Sequence, residues 1–423
     1  MPIRAGFAET DITPPLGTHK IGWLRDLVAD QVLDPLSARV AVLEAGEEPV
    51  AFVQLDTLCV RWTQVSDIRR RVADQFAFPG DHVMVAATHN HAGPAVADAG
   101  DVKRDDAYVA TLTDKIVAAF GAALDNAQEA EVGFASVPEF GVAFNRRIIM
   151  RDGTVCTHGR FADPNALCFE GPIDPEVAVV AARSPDGALL GAIVNFACHP
   201  THHGGSTELS AGFPGALARE MKAKGCPVAL FLNGASGNLH TSDPRTGQDK
   251  PKEQVGAILA ADAARAIEAT EFRTSLAIEC RARTLQLPFR QVTDGQVKGT
   301  VRGAQRFIDP AIYDRGMPRL LERIRAMGTQ PAEVQAILLD EVALVGIPAE
   351  YFVQHGLRIK EQTHPRHTLV VGHANGMVGY VPHREAFLRG GYETTFFSTS
   401  RLAPEAGDLL ADCAIDLIRT GRR

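Results

Sequence analysis

Aromatic residues make up only 6% of this 423-residue chain, and no block of Lys or Arg stands among its 43 basic and 51 acidic residues. A nucleic-acid groove or an anionic membrane surface calls for clustered positive charge, so neither partner is expected. No stretch approaches the roughly 20 apolar residues of a membrane-spanning helix. The opening residues, Met1 to Thr10, include an acid and lack the apolar core of a secretion signal, so the expected location is cytoplasmic. The seven cysteines are odd in number, scattered and never in a CxxC pair, and they read as reduced core thiols rather than a disulfide framework or a structural zinc knuckle. Internal repeats, low-complexity tracts and linkers are missing too. With 45% hydrophobic residues the chain has enough apolar material for a large core. It is expected to form one domain over 1–423, acting on a small molecule and, at most, associating with further copies of itself.

The hydrophobic periods alternate between strand and helix. Val40–Leu43 and Pro49–Leu55 read as strands joined by the polar turn 44–48, and the second delivers Asp56, a candidate for a catalytic face. A helix over about 63–75 leads to another buried strand, and a second helix covers about 106–127. The pattern predicts an α/β fold of mixed β-sheets flanked by helices, with functional residues at strand ends. The polar, Arg-rich stretch within 290–330 is expected to be a partly helical lid or insertion over the site.

Chemistry gathers where strands stop. Val83–Ala87 runs into Thr88-His89-Asn90-His91-Ala92-Gly93-Pro94, and two imidazoles spaced i, i+2 leave a strand on the same face. Such a pair is half of a divalent-metal site, although strand-end histidines bonded to loop backbone fit the same pattern. Leu189–Phe196 ends in Ala197-Cys198-His199-Pro200, whose proline holds His199 extended and makes it the candidate third imidazole. His202 and His203 follow in a loop as substrate-facing or solvated residues. Arg146 and Arg147 read either as a bidentate clamp for an oxyanion or as a solvated charge pair. The small-residue loop Asn233 to His240 lets backbone N–H groups approach a ligand closely, and its Ser236 reads as a turn serine. Glu350, after Pro348-Ala349, is either an oxygen ligand or a helix cap.

Taken together, Thr88-His89-Asn90-His91-Ala92-Gly93-Pro94, Phe196-Ala197-Cys198-His199-Pro200, Gly346-Ile347-Pro348-Ala349-Glu350 and Gly379-Tyr380-Val381 resemble the neutral ceramidase superfamily, from Asp11-Ile12-Thr13-Pro14-Pro15 to Arg401-Leu402-Ala403-Pro404. The resemblance implies a zinc ion held by His89, His199, Glu350 and Tyr380, with His91, Arg146 and Tyr392 as catalytic partners. It also implies two departures. The family's serine is expected where Gly237-Asn238-Leu239-His240 carries a histidine, and the chain is expected to stop near the close of the catalytic domain. His240 is therefore assigned to proton transfer, and Arg147, His202 and Asn238 to substrate contact. The expected activity is zinc-dependent hydrolysis, in which metal-bound water attacks the carbonyl of a small polar amide or cyclic amide. The alternatives are a lactonase or esterase on the same site and a metal-binding protein without hydrolysis.

Overall fold

Three parallel strand pairs point their carboxyl ends at one place, and the rest of the topology serves that meeting. In the computed structural model, which describes residues 2–46, 48–364 and 366–420, the first two-thirds of the chain builds a nine-stranded sheet. Its long strands are β1 (Ile3–Asp11), β2 (Ser37–Glu44), β3 (Val50–Leu55), β4 (Val83–Ala87), β5 (Gln128–Pro138), β6 (Glu176–Arg183), β7 (Leu189–Phe196) and β8 (Ala229–Asn233). They lie in the order β8-β7-β6-β5-β1-β2-β3-β4, with the short strand Glu271–Arg273 added on β5. Most neighbours are antiparallel, but β3–β4 and β7–β8 are parallel. A parallel pair needs a crossover, and these are supplied by helices α1 (Trp62–Phe76) and α3 (Gly212–Ala223). Every residue of β3 and of β4 is buried, which is why neither alternates apolar with polar residues; Gln54 is the one polar side chain in the pair. Of the expected 44–48 turn, Glu47 lies outside the described residues.

Helices α2 (Asp106–Asp125) and α4 (Lys252–Glu268) join α1 and α3 on one face of this sheet. Ile68, Val72, Leu112, Ile116 and Phe120 pack on Val40, Val53 and Val85. Leu217, Met221 and Leu259 pack on Val179, Val194 and Phe231. By length and composition α2 is apolar enough to cross a membrane, but here it is a core helix.

The other face meets a second sheet of β9 (Ile278–Pro288), β10 (Thr329–Leu339), β11 (Val342–Gly346) and β12 (His367–Val371), in sequential order, with β11 and β12 parallel. Phe52, Met84, Ile193 and Leu230 of the first sheet pack there against Ile337, Leu344 and Leu369. The polar excursion between β9 and β10 contains a short helix, Asp294–Lys298, and α5 (Pro310–Met327). Crossover helix α6 (Val353–Thr363) and the final helix α7 (Ala406–Arg419) cover the outer face, where Ile359, Leu410 and Ile418 meet Val334 and Val345. The layers therefore run helix, sheet, sheet, helix.

Strands β4 and β8 are opposite edges of the large sheet, yet their ends are tied together by the segment that leaves β12. Gly372 N–H donates to Asn233 O at 2.8 Å, Ala87 N–H to His373 O at 3.2 Å, and Asn375 N–H to Val85 O at 2.7 Å. The Asn375 side chain completes the tie by accepting from Val85 N–H at 2.9 Å. Residues from three crossover units are thereby gathered at carboxyl strand ends, where open α/β sheets form their sites.

Candidate active site

Beyond β4 the chain leaves the strand at once, and His89 adopts a left-handed backbone with φ 68°. The pair His89 and His91 therefore converges through a turn, not through the strand pleat that the i, i+2 spacing suggests. His199 arrives from the end of β7. The three Nε2 atoms lie 3.0 Å (His89 to His199), 3.2 Å (His89 to His91) and 3.1 Å (His91 to His199) apart.

The opposite edge of each ring is fixed by backbone. Nδ1 of His89 faces Leu58 O at 2.8 Å, that of His91 faces Gly22 O at 2.7 Å, and that of His199 faces Ser236 O at 3.3 Å. A carbonyl only accepts, so each Nδ1 carries the proton and each Nε2 is left as a lone pair. Three lone pairs facing one another with no proton between them are an arrangement a cation satisfies. Zinc–nitrogen bonds of about 2.0–2.1 Å at tetrahedral angles would set such nitrogens roughly 3.3 Å apart. Burial, reinforced by the neighbouring histidines and by Arg146, pushes His91 and His199 well below the ordinary imidazole pKa, so both rings stay neutral.

Glu350 Oε2 completes the donor set, 3.4 Å from His89 Nε2 and 3.9 Å from His199 Nε2. Its short strand pairs in parallel with Tyr380–Val381, with Glu350 opposite Tyr380. The Tyr380 hydroxyl accepts from Arg146 Nη2 at 3.2 Å and stands beside the Glu350 carboxylate. Burial and the Glu350 charge push the Tyr380 pKa well above its ordinary value. These donors, a tight group of imidazoles with one carboxylate, fit a divalent ion of the zinc type. Against expectation His91 stands inside the group rather than beside it, because its Nε2 is as close to the other two nitrogens as they are to each other.

The donors form part of the wall of a cavity of about 500 Å3. Trp23, Leu24, Leu58, Ala99, Phe307 and Ile308 make most of its wall apolar, and Arg146, His158, Thr201 and Tyr392 supply polar groups. Phe307 and Ile308 come from the polar excursion, and Phe307 stacks on Tyr392 with centroids 5.0 Å apart. Burial lifts the Tyr392 pKa far above neutrality.

Arg146 is anchored behind the cavity by Glu393. Glu393 Oε1 accepts from Arg146 Nε at 2.8 Å, while Oε2 accepts from Arg147 Nη1 at 2.6 Å and Thr157 Oγ1 at 2.7 Å. Burial opposes ionisation of Glu393, but the two guanidiniums outweigh it and hold the pKa at about 2. Burial likewise works against the charge on Arg146, and Tyr380 and Glu393 more than restore it.

Five expected roles do not fit the geometry. Arg147 is fully buried, paired with Glu170 and Glu393 and bonded to Gly390 O, so it reaches no substrate. Asn238 is buried as well; its side chain donates to Gln354 and accepts from Val353 N–H, which ties the loop to α6. His202 donates Nε2–H to Lys250 O at 2.8 Å and packs edge-on to Phe213, away from the cavity wall. His240 accepts from Ser242 N–H at Nδ1 and bonds Thr201 Oγ1 through Nε2 at 2.7 Å, so both nitrogens are taken and the ring sits behind Thr201. Asp56 is buried among Arg39, Gln54 and Ser37 N–H, a structural carboxylate.

Sequence reasoning missed three residues. Glu393 gives no local signal. His158 does, since it closes the strand Val155–Thr157 just before Gly159, the same strand-end pattern that singled out His91. His373 follows β12 and stacks on His89 with centroids 4.0 Å apart, buried, with both ring nitrogens unpartnered. Ser236 is also buried, its hydroxyl without a partner and its carbonyl on His199.

No family model matches the chain. In sequence it is 22% identical to the neutral ceramidase of Pseudomonas aeruginosa over 93% of this chain and 68% of that protein. The crystal structure of neutral ceramidase from Pseudomonas aeruginosa superposes with a TM-score of 0.78 at 20% identity, covering 99% of this chain and 74% of the other. A ceramidase complexed with C2 gives a TM-score of 0.77 at 19% identity, with 99% and 75% covered. Likeness in sequence and likeness in fold run over the same nearly complete length and agree with the resemblance read from the sequence: the chain has the fold of a neutral ceramidase catalytic region.

Proposed function

We propose that the chain is a metal-dependent hydrolase of amide bonds, with zinc as the ion and His89, His91, His199 and Glu350 as its holders. The observation that carries this reading is the meeting of three Nε2 lone pairs and one carboxylate at the wall of a cavity. Relatedness to a neutral ceramidase supports the amide as the bond cleaved. A divalent ion at these donors would supply water activated at neutral pH and would polarise a carbonyl.

The chain's own residues do the remainder. Arg146, charged across the neutral range and lining the cavity, stabilises the negative charge that develops on the carbonyl oxygen. Tyr380, expected from sequence as a fourth holder of the ion, accepts from Arg146, and its strand pairing sets it opposite Glu350. Glu393 fixes the guanidinium from behind. The apolar wall favours an acyl or amine arm of hydrocarbon character over the polar molecule expected from sequence, and about 500 Å3 suits a compact arm.

The test is elemental analysis of the purified protein together with hydrolysis of a panel of N-acyl amides, lactones and esters before and after chelation. The expected result is about one zinc per chain and amide hydrolysis that is lost on chelation and restored by zinc. Full amide hydrolysis by metal-free protein would overturn the reading, and cleavage of lactones alone would move it to the esterase class.

A further inference from the structure

Resting on the hydrolase reading, we infer that His158 is the proton-transfer residue of this site, taking a proton from the attacking water and delivering it to the leaving nitrogen. Two features of its setting carry this. The ring lines the same cavity as His89, His91 and His199, and among the described residues neither of its ring nitrogens hydrogen-bonds to protein. It is held by packing alone, edge-on to His240 at 4.8 Å and tilted against Phe307 at 6.4 Å. One lone pair and one N–H therefore remain open to a ligand in the cavity.

The second feature is the backbone. His158 stands at φ 59°, a left-handed conformation that residues with a side chain rarely adopt. Its N–H donates to Arg146 O at 2.8 Å, so the segment that aims the ring is bonded to the residue that stabilises the oxyanion.

Of the other proton carriers around the cavity, Tyr392 keeps its proton because burial lifts its pKa far above neutrality, and the rest are engaged. The three clustered rings have Nδ1 on carbonyls and Nε2 on one another. Tyr380 accepts from Arg146 and has its pKa raised well above the ordinary value by burial, and His240 has both nitrogens in use. The His158 side chain is exposed to solvent, but partial desolvation of the ring against the cavity wall and the nearby charge of Arg146 lower its pKa, which leaves the ring neutral at pH 7 with its lone pair available.

The step balances. Water adds to the amide carbonyl and its proton passes to the His158 imidazole. The imidazolium then protonates the nitrogen as the C–N bond breaks, giving a carboxylic acid and an amine with the ring restored.

The experiment uses the full chain, wild type, His158→Gln and His158→Gly, on two substrates sharing one acyl group: an alkylamide and a p-nitrophenyl ester. An alkylamine must be protonated to leave, whereas p-nitrophenolate need not be. Loss of a proton-transfer residue is expected to lower kcat/KM on the amide by roughly 10²–10⁴-fold and on the ester by less than about tenfold. Bound metal should be unchanged in both variants, and the melting temperature of His158→Gln should stay at the wild-type value. Glycine accepts the positive φ and leaves a ring-sized gap, so added imidazole should restore amide hydrolysis by His158→Gly. Equal losses on both substrates, or an unchanged amide rate, would overturn the role of His158. A wild type that cleaves no amide would overturn the hydrolase reading and this role with it.

Discussion

Replacing Glu393 with glutamine keeps shape and removes one buried charge. In the native protein this carboxylate holds Arg146 Nε at 2.8 Å, Arg147 Nη1 at 2.6 Å and Thr157 Oγ1 at 2.7 Å, with no exposure to solvent. An amide can accept at one oxygen only, and its NH2 would confront a guanidinium. Breaking a buried pair by removing one partner costs about 3–5 kcal/mol. A second route gives a similar figure. The carboxyl pKa is about 2 in the fold against an ordinary 4.5. At about 1.4 kcal/mol per pH unit, that window corresponds to about 3 kcal/mol. Because the folded pKa is depressed, this stability is fully present above about pH 4.5 and is lost as pH falls toward about 2. For 423 residues the unfolding entropy is about 0.9 kcal/mol/K, so about 3 kcal/mol lowers the melting temperature by roughly 3–4 °C. Calorimetry of wild type and Glu393→Gln at pH 7 should show that gap, and it should close as pH is lowered through 4.5 toward 2. A gap under about 1 °C at pH 7, or one of constant size down to pH 3, would refute the account of Glu393 as the charged anchor of Arg146 and Arg147.

Removal of one imidazole at a time separates ligands from neighbours: His199→Ala and His91→Ala should each lose most bound metal in elemental analysis, and full metal content in His91→Ala would return that ring to the substrate side. Adding zinc to chelated protein should raise the melting temperature by roughly 4–5 °C at a thousandfold excess over Kd, since about 4 kcal/mol of binding free energy then favours the folded state; a melting temperature indifferent to metal would contradict the site. Arg146→Lys should lower kcat on amides by about 10²-fold or more with little loss of stability, whereas Arg147→Ala should chiefly destabilise, by about 3 kcal/mol or more, because it leaves Glu170 and Glu393 short of a partner. A Cβ on Gly237 would lie 2.5 Å from Glu350 O and 2.8 Å from its carbonyl carbon, so Gly237→Ala should displace Glu350 and weaken metal binding at least tenfold in a competition assay.

Much of the donor set was legible because strand periodicity breaks where the chemistry begins. The strands Val83–Ala87 and Leu189–Phe196 are each followed within three residues by a histidine, and parallel pairs deliver such residues to a common edge. The exact position of His91 was not, since it depends on the left-handed turn at His89 rather than on the strand pleat. Arg146 and Arg147 are identical in type and adjacent, and only the packing of Glu170 and Glu393 sends one to the cavity and the other to the core. His240 was misread for a related reason. A polar residue after a buried strand suggests a site, but Ser242 N–H and Thr201 already satisfy its ring, and no local pattern reports that. The apolar wall was equally hidden, because Trp23, Leu58 and Phe307 come from three segments remote in sequence.

Four of the eight described non-glycine residues at positive φ stand at the same place. His89, His158, Ile308 and His373 stand at φ 68°, 59°, 72° and 57°, each a non-glycine residue in left-handed backbone, and all lie in or against the cavity. Ile308 is the least expected, because a branched Cβ tolerates positive φ poorly. Such conformations persist only where surrounding bonds over-determine them. Here the determinants are visible: Leu58 O on the His89 ring, Arg146 O on the His158 N–H, and Ala87 N–H on the His373 carbonyl. Selection for folding alone would favour glycine at these turns. Side chains with imidazole rings stand there instead, three of the four, and they surround a group of lone pairs that repel one another until a cation is present. Local backbone strain and unmatched donors are independent costs, and their coincidence at one cavity wall is what a site built for binding and chemistry requires.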